Sequence, residues 1–422
     1  MIGVRLSQAR SGRGALPLVG ALGLTLASAA AAWYAASRMP EPPPPAGPGR
    51  FLYVLASDAD GTDTDFLAVF DATPGSGAQG SLLSTAPVGR PGTDAHALES
   101  ALSASGQLLA SGYRVRQNFA FDARQPERPR LLGTLPMVVG FDYPHSFARL
   151  PSGNVIVTYQ KGDGRKAGDP GGLVEFDAQG RLLRASSAAD RVAQGKAIRP
   201  HGIAALPAID RVVTTSNPMD DEESAHVVQV WRLSDLALLA TVPLEPHEDS
   251  VHRRPFEPRA LADGRSVLIN TSSCGLYLGT ALDTPTPVVR LVHAPADLAA
   301  RGCGVPAVAG RFYLVPIADA HAIATFDISD PARPLEVTRL DTGEDFFPHW
   351  LAADPGSDRV AVTAGRGVGR VLVLRLDPHT GALAIDPDFH DPGGGPGVTL
   401  GRDAWPHGTA GPAIARAAIF AR

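Results

Sequence analysis

Along most of the chain apolar positions come in short runs, continuous or alternating with polar ones, and the runs end in Gly, Pro, Asp or Ser. This is the pattern of strands bounded by tight turns. Two pieces recur. One is an alternating run that closes on Phe-Asp: Phe66–Ala72 (FLAVFDA), Asn118–Ala123 (NFAFDA), Leu173–Ala178 (LVEFDA) and Ile323–Ser329 (IATFDIS), with Val227–Asp235 and Arg370–Asp377 in the same place. The other follows it: Leu82–Val88 (LLSTAPV), Leu131–Met137 (LLGTLPM), Leu238–Leu244 (LLATVPL) and Leu335–Asp341 (LEVTRLD).

A third recurring feature comes before these two. Pro144-His145, Pro200-His201, Pro348-His349 and Pro406-His407 each precede an apolar run, and the first three lead into a turn and a second run. His96 begins a similar stretch without the proline. Each unit therefore reads as four strands, the first starting near the histidine. Starts near residues 96, 145, 201, 256, 302, 349 and 407 are spaced as four-stranded propeller blades are, about 45 to 58 residues apart. The predicted fold is all-β: a seven-bladed β-propeller whose ring is closed by pairing of the N- and C-terminal strands. FLYVLAS, FLAVFDA and LLSTAPV supply three strands of one blade, and the segment from His407 supplies the fourth. The final AAIFAR is one strand more than this scheme needs. A stacked pair of β-sandwiches is the alternative, but it leaves the repeated strand pairs unexplained. Helical periodicity is nearly absent after residue 50, apart from at most one turn around Ala296–Ala300.

In a propeller the first strand of each blade lines the axis. The blade register thus brings His96, His145, His201, His349 and His407 towards one mouth, joined by His226 and His321 from loops on the same face. Proline fixes φ and aims the residue that follows it. Clustered neutral imidazoles suit copper or zinc. The competing reading gives each histidine an ordinary backbone hydrogen bond. Where two repeats lack the histidine, at Phe256 and Gly302, Glu257, Arg259 and Cys303 become the axis-facing candidates, and Glu257 beside Arg259 reads first as a structural ion pair. Tyr143, Glu257, Trp350 and Trp405 are the candidate walls of a substrate pocket. Pro246-His247, Glu248, Asp249 and His252 read as a solvated loop.

Composition narrows the partners. A net charge of −5 and a pI near 6.2 give no basic footprint for nucleic acid. Gly-rich phosphate loops, HExxH and GxSxG are absent. Residues 1–38 carry Arg5, Arg10 and Arg13 ahead of an uncharged run from Ala15 to Ala36, which reads as a signal peptide or an N-terminal membrane anchor. Either exports the propeller, residues 51–422, beyond a Pro-rich linker at 39–50, so the expected location is periplasmic or extracytoplasmic. Membrane contact is expected through the N-terminal segment alone. Cys274 and Cys303 are the only cysteines. Two buried thiols are the simpler reading; a disulfide is the alternative in an oxidising compartment.

Several stretches, taken in order, resemble the selenium-binding protein family, which includes bacterial methanethiol oxidases. They are Pro144–Thr158 (PHSFARLPSGNVIVT), Gly171–Asp177 (GGLVEFD), His226–Leu244, Pro255–Arg259 (PFEPR), His321–Leu340 (HAIATFDISDPARPLEVTRL) and Leu376–Phe389. This resemblance implies a seven-bladed propeller, a copper site built from histidines and a small, thiol-type substrate. The chain differs at Ala95-His96, where the family has a His-His pair, at Ala148 and at Pro406–Thr409, and it lacks the family's Cys-rich segment. A copper-dependent oxidoreductase is accordingly the first expectation. A non-catalytic envelope propeller that binds a ligand or protein is the second, and a zinc or calcium site that braces the channel is the third.

Overall fold

The computed structural model describes residues 47–162, 169–220, 223–244, 254–295, 302–367 and 369–422. The expected signal or anchor segment, most of the linker, the His247–His252 loop and the turn at Ala296–Ala300 lie outside the described residues. Among those described, no helix is long and apolar enough to cross a membrane.

The strands form seven antiparallel blades of four principal strands, a seven-bladed β-propeller. The inner strands are Gly411–Ala421, Ala95–Leu98, Asp142–Arg149, Pro200–Leu206, Pro255–Ala260, Ala307–Ala309 and Phe346–Ala353, in blades one to seven. The second and third strands of a blade are buried on both faces, as at Val155–Lys161 and Pro170–Phe176, which is why they read as continuous apolar runs. Outer strands such as Arg130–Thr134 and Leu182–Ser187 alternate, because one face meets solvent.

The recurring Phe-Asp has a local cause. The aspartate ends the third strand and accepts backbone N–H groups of the following turn: Asp71 from Thr73, Asp177 from Gln179 and Arg181, Asp327 from Ser329, Asp377 from His379. The aromatic before it sits at a bulge against the outer strand in five blades, beside Phe70, Phe121, Phe176, Trp231 and Phe326. A bulge sharpens strand twist and turns the ring into the wall between blades. Trp231, fully buried, packs with Ile156 and Leu173 of one blade and Ile203 and Val212 of the next, and its indole N–H reaches Thr214 Oγ1 at 3.0 Å.

Closure follows the predicted pairing with one correction. The inner strand of blade one begins at Gly411, beyond His407, and AAIFAR is its second half rather than a separate strand. It pairs antiparallel with Phe51–Asp58, from Phe51↔Ala421 to Asp58↔Ala413. A buried ion pair fastens this junction to blade seven: Asp354 accepts the Gly49 N–H and pairs with Arg359 at 2.9 Å, and Arg359 donates to the carbonyls of Gly49 and Ala72. The cysteines are also corrected. Cys274 and Cys303 form a disulfide between blades five and six.

Candidate metal centre at the propeller axis

The inner strands break register where the sequence repeats Pro-His. The pairing jumps between Pro144 and Phe147, between Pro200 and Ile203, and on both sides of Pro348; it also jumps between Ala95 and Leu98 and between Pro255 and Pro258. Proline has no N–H to give the ladder, so the strand bulges there and the next side chain swings off the sheet.

The released backbone groups are caught by side chains of the second strand. Ala97 N–H donates to Ser111 Oγ, Ser146 N–H to Thr158 Oγ1, Gly202 N–H to Thr215 Oγ1 and Glu257 N–H to Asn270 Oδ1, at 2.9–3.1 Å. Three of these groups also donate onward into the next blade: Thr158 Oγ1 to His201 O, Thr215 Oγ1 to Phe256 O and Asn270 Nδ2 to Gly304 O. One side chain therefore sets both the pose of its own inner strand and the position of the neighbour's.

His96, His145 and His201 form an arc of mutually tilted rings, with centroids 5.2 and then 3.9 Å apart, and Phe256 ends it 4.5 Å from His201. Phe256 occupies the fifth blade's histidine position, and the residue after it supplies a carboxylate. Glu257 Oε1 stands 3.2 Å from His201 Nδ1, and Oε2 accepts from Arg259 at 3.1 Å. His201 must be followed by glycine, because a Cβ on Gly202 would lie 2.9 Å from Glu257 Oε2 and 2.5 Å from Pro258 Cδ. Gly365 likewise leaves room for the His349 side chain, which a Cβ there would meet at 2.7 Å at its Cβ and 2.8 Å at its ring.

Donor atoms of His145, His201 and Glu257 lie within 4.8 Å of one another. Ligands about 2.1 Å from a metal can stand no more than roughly 4.2 Å apart, so the set closes on an ion by sub-ångström movements. All three residues are nearly fully enclosed (His145 3%, His201 1%, Glu257 4% exposed). Yet, among the described residues, His145 Nε2, His201 Nε2, and Nδ1 of the half-buried His96 and His349 are enclosed without a hydrogen bond, and His201 Nδ1 faces the Glu257 carboxylate. Nearly all buried polar atoms in proteins are paired, so several together mark a place where an ion or ligand could bind.

The electrostatics suit a cation. Burial first, then the neighbouring imidazoles, hold His145 well below the usual histidine range; burial and the Arg416 guanidinium do the same for His96 and take His349 down to about 4. These rings keep their lone pairs at neutral pH. Burial alone would raise the Glu257 carboxyl, but the His201 ring and Arg259 beside it bring it down to about 2. The Glu257–Arg259 ion pair expected from the sequence is present, and the carboxylate also faces the histidines.

The other predicted residues lie elsewhere. His407 is in the loop before the closing strand, bonded to Thr85 and Thr409 at 2.8 Å and packed on Phe66, because that strand starts four residues later than expected. His321 Nδ1 contacts the Phe346 carbonyl at 3.1 Å, with its ring against Phe347. His226 is half-buried ahead of the strand Val227–Arg232, its carbonyl accepting from Leu244. Trp405 is buried in the core shared by blades seven and one, and the Trp350 indole N–H bonds Ala418 O of the closing strand at 2.9 Å. Tyr143 remains near: it adopts a left-handed backbone (φ 62°), lies between Arg116 and Lys161, and packs at a tilt with its ring centroid 5.0 Å from that of Tyr113, itself 6.3 Å from His96. A surface cleft of about 360 Å³ beside it is lined by Arg116, Asn118, Met137, Val139, Asp142 and Tyr159.

Sequence reasoning missed Ser111, Thr158, Thr215 and Asn270. Their signal was present as a recurrent hydroxyl residue in the second strand, in VIVTY and RVVTT, but there it reads as ordinary β-propensity.

Fold and site together define a propeller with a histidine–glutamate cluster enclosed at its axis. No protein-family model and no curated protein matches the chain. Solved structures do. A hypothetical selenium-binding protein from Sulfolobus tokodaii is similar with a TM-score of 0.67 at 16% identity, over 81% of this chain and 90% of that one. The periplasmic gluconolactonase of Pseudomonas aeruginosa gives 0.60 at 18%, over 80% and 94%. A streptogramin B lyase gives 0.51 at 12%, over 81% and 95%. Such identities establish the shared fold, and this fold carries unrelated chemistries.

Proposed function

We propose that the axis holds a transition-metal ion on His145, His201 and Glu257, with His96 and His349 beside it, and that the protein is an exported copper-dependent oxidoreductase acting on a small substrate. The observation that carries this reading is the group of enclosed imidazole nitrogens without partners around a carboxylate. The plain alternative, a backbone hydrogen bond for each histidine, accounts less well for so many enclosed nitrogens at one place. Copper stands before zinc because neutral imidazoles bind it more tightly in the divalent series. Bound there, copper would supply one-electron redox chemistry. Glu257 would balance its charge, Arg259 would orient Glu257, and the more open His96 and His349 would face an incoming molecule. A thiol is the substrate class suggested by the resemblance to methanethiol oxidases. The disulfide supports an oxidising compartment, in line with the N-terminal segment.

Metal analysis and oxygen uptake with methanethiol test this on protein purified from the periplasm. Copper at one per chain, lost in His145→Ala and His201→Ala, with thiol-dependent oxygen uptake, is the expected result. A wild-type protein without copper, and unable to take it up, would sink it. The near-complete enclosure of the three ligands favours a second reading, a closed metal site that only braces the ring. Metal that raises the melting temperature and supports no turnover would establish that one.

A further inference from the structure

At most joints the inner strand itself faces the axis. Blade six differs, since its inner strand is only Ala307–Ala309. The preceding tetrapeptide, Cys303–Pro306, takes the vacant place beside the site. It is fastened on one side to blade five, through the disulfide to Cys274 and the Gly302 and Cys303 N–H groups donating to Ser272 O. On the other side Val305 exchanges bonds with blade seven: its N–H reaches His349 O at 2.7 Å, and its carbonyl accepts from Leu351 at 3.0 Å. A Cβ on Gly304 would stand 2.0 Å from His349 O, so the two backbones are in direct contact.

Two of its carbonyls hold the groups that hold Glu257. Gly304 O accepts from Asn270 Nδ2 at 2.8 Å, and Asn270 Oδ1 fixes the Glu257 N–H. Pro306 O accepts from Arg259 Nε at 2.9 Å, and the same guanidinium grips Glu257 Oε2. A single tetrapeptide thus supports the carboxylate through two side chains and His349 through its backbone, and its first residue is the one bonded covalently across the blade joint.

We infer that Cys303–Pro306, held by the Cys274–Cys303 disulfide, positions Glu257 and His349 for the metal, so that metal retention depends on the disulfide. The inference rests on the metal reading above. Asn270 and Arg259 are positioning residues, and the disulfide acts through them. Reduction by a dithiol transfers two electrons and two protons, breaks the S–S bond to give two thiols, and leaves the reductant as its own disulfide. Hydrogen bonds alone then tie the tetrapeptide to blade five.

The full chain is tested with cobalt(II), whose visible spectrum reports ligand geometry. Cys274→Ser/Cys303→Ser removes the link without adding thiol ligands, and Asn270→Ala removes one support with the disulfide intact. Second supporting contacts of this kind are worth about 10–100-fold in metal affinity. Each variant, folded by circular dichroism, is therefore expected to bind cobalt(II) at least about tenfold more weakly, with a shifted spectrum. Unchanged affinity and spectrum in both variants would overturn the inference and leave the metal site standing. Absence of both cobalt and copper uptake by the wild type would overturn the metal reading instead. The imidazole proton resonances of His201 and His349 in the metal-free protein then decide the positioning claim: displacement in the double serine variant upholds it, and identical resonances refute it.

Discussion

Replacing Glu257 by glutamine keeps the side chain's shape and removes its charge, so it isolates what the carboxylate contributes. In the metal-free protein the carboxyl is brought from 4.5 to about 2. That depression corresponds to about 3 kcal/mol of preferential stabilisation of the ionised form. Glutamine stands in for the protonated form, so Glu257→Gln is expected to cost about 3 kcal/mol at pH 7, at the lower edge of the range for breaking a buried ion pair. Arg259 limits the loss, because it keeps the carbonyls of Pro306 and Pro258 and is a quarter exposed. For a domain of this size, about 3 kcal/mol moves the melting temperature by roughly 4 °C. The pH dependence sharpens the test. A depressed carboxyl contributes stability that is complete above its unfolded value of 4.5 and is lost as pH falls towards 2. Urea unfolding in the presence of a chelator should show that loss in the wild type and its absence in the variant. Equal stability at pH 7, or parallel curves below pH 4.5, would refute the account of Glu257 as a charge held by His201 and Arg259.

Other expectations follow from neighbouring groups. His349, taken from 6.5 to about 4 by burial and Arg416, contributes stability that is complete above pH 6.5 and lost as pH falls through 4, about 3 kcal/mol in all; in metal-free His349→Gln, unfolding midpoints between pH 7 and 4 should fall less steeply than in the wild type. His407→Ala should leave metal content unchanged while lowering stability by about 1 kcal/mol through its lost threonine bonds; loss of metal would contradict its placement outside the cluster. Asp354→Asn strands the Arg359 guanidinium at the ring closure, and a loss of about 3–5 kcal/mol is expected in thermal unfolding, with Asp354→Leu/Arg359→Met recovering much of it.

The architecture was legible because its signals repeat. Phe-Asp marks a turn that recurs for one reason in blade after blade, and Pro-His marks a bulge that recurs likewise. The arc His96–His145–His201, with His349 near, followed from that register. Glu257 was legible as axis-facing, but its contact with His201 was not, because the fifth blade moves the chemistry one residue on, from Phe256 to its successor. His407 misled because the same dipeptide occurs where no inner strand begins. Trp350 misled because an aromatic beside a histidine says nothing about which side of a bulged strand it leaves, and Trp405 because it lies with His407 in the loop before the closing strand. The disulfide pairs residues whose separation in sequence fits either outcome; the blade joint that brings them together is a property of the assembled ring.

The side chains that couple one inner strand to the next have a consequence for how such a site can change. Thr158 fixes where His201 stands relative to Ser146, and Thr215 and Asn270 carry the same measure forward. The spacing of these side chains around the axis is gauged from inside the wall, to the tolerance of a hydrogen bond. Loops at the mouth can lengthen, shorten or change composition while the histidine and glutamate spacing beneath stays calibrated.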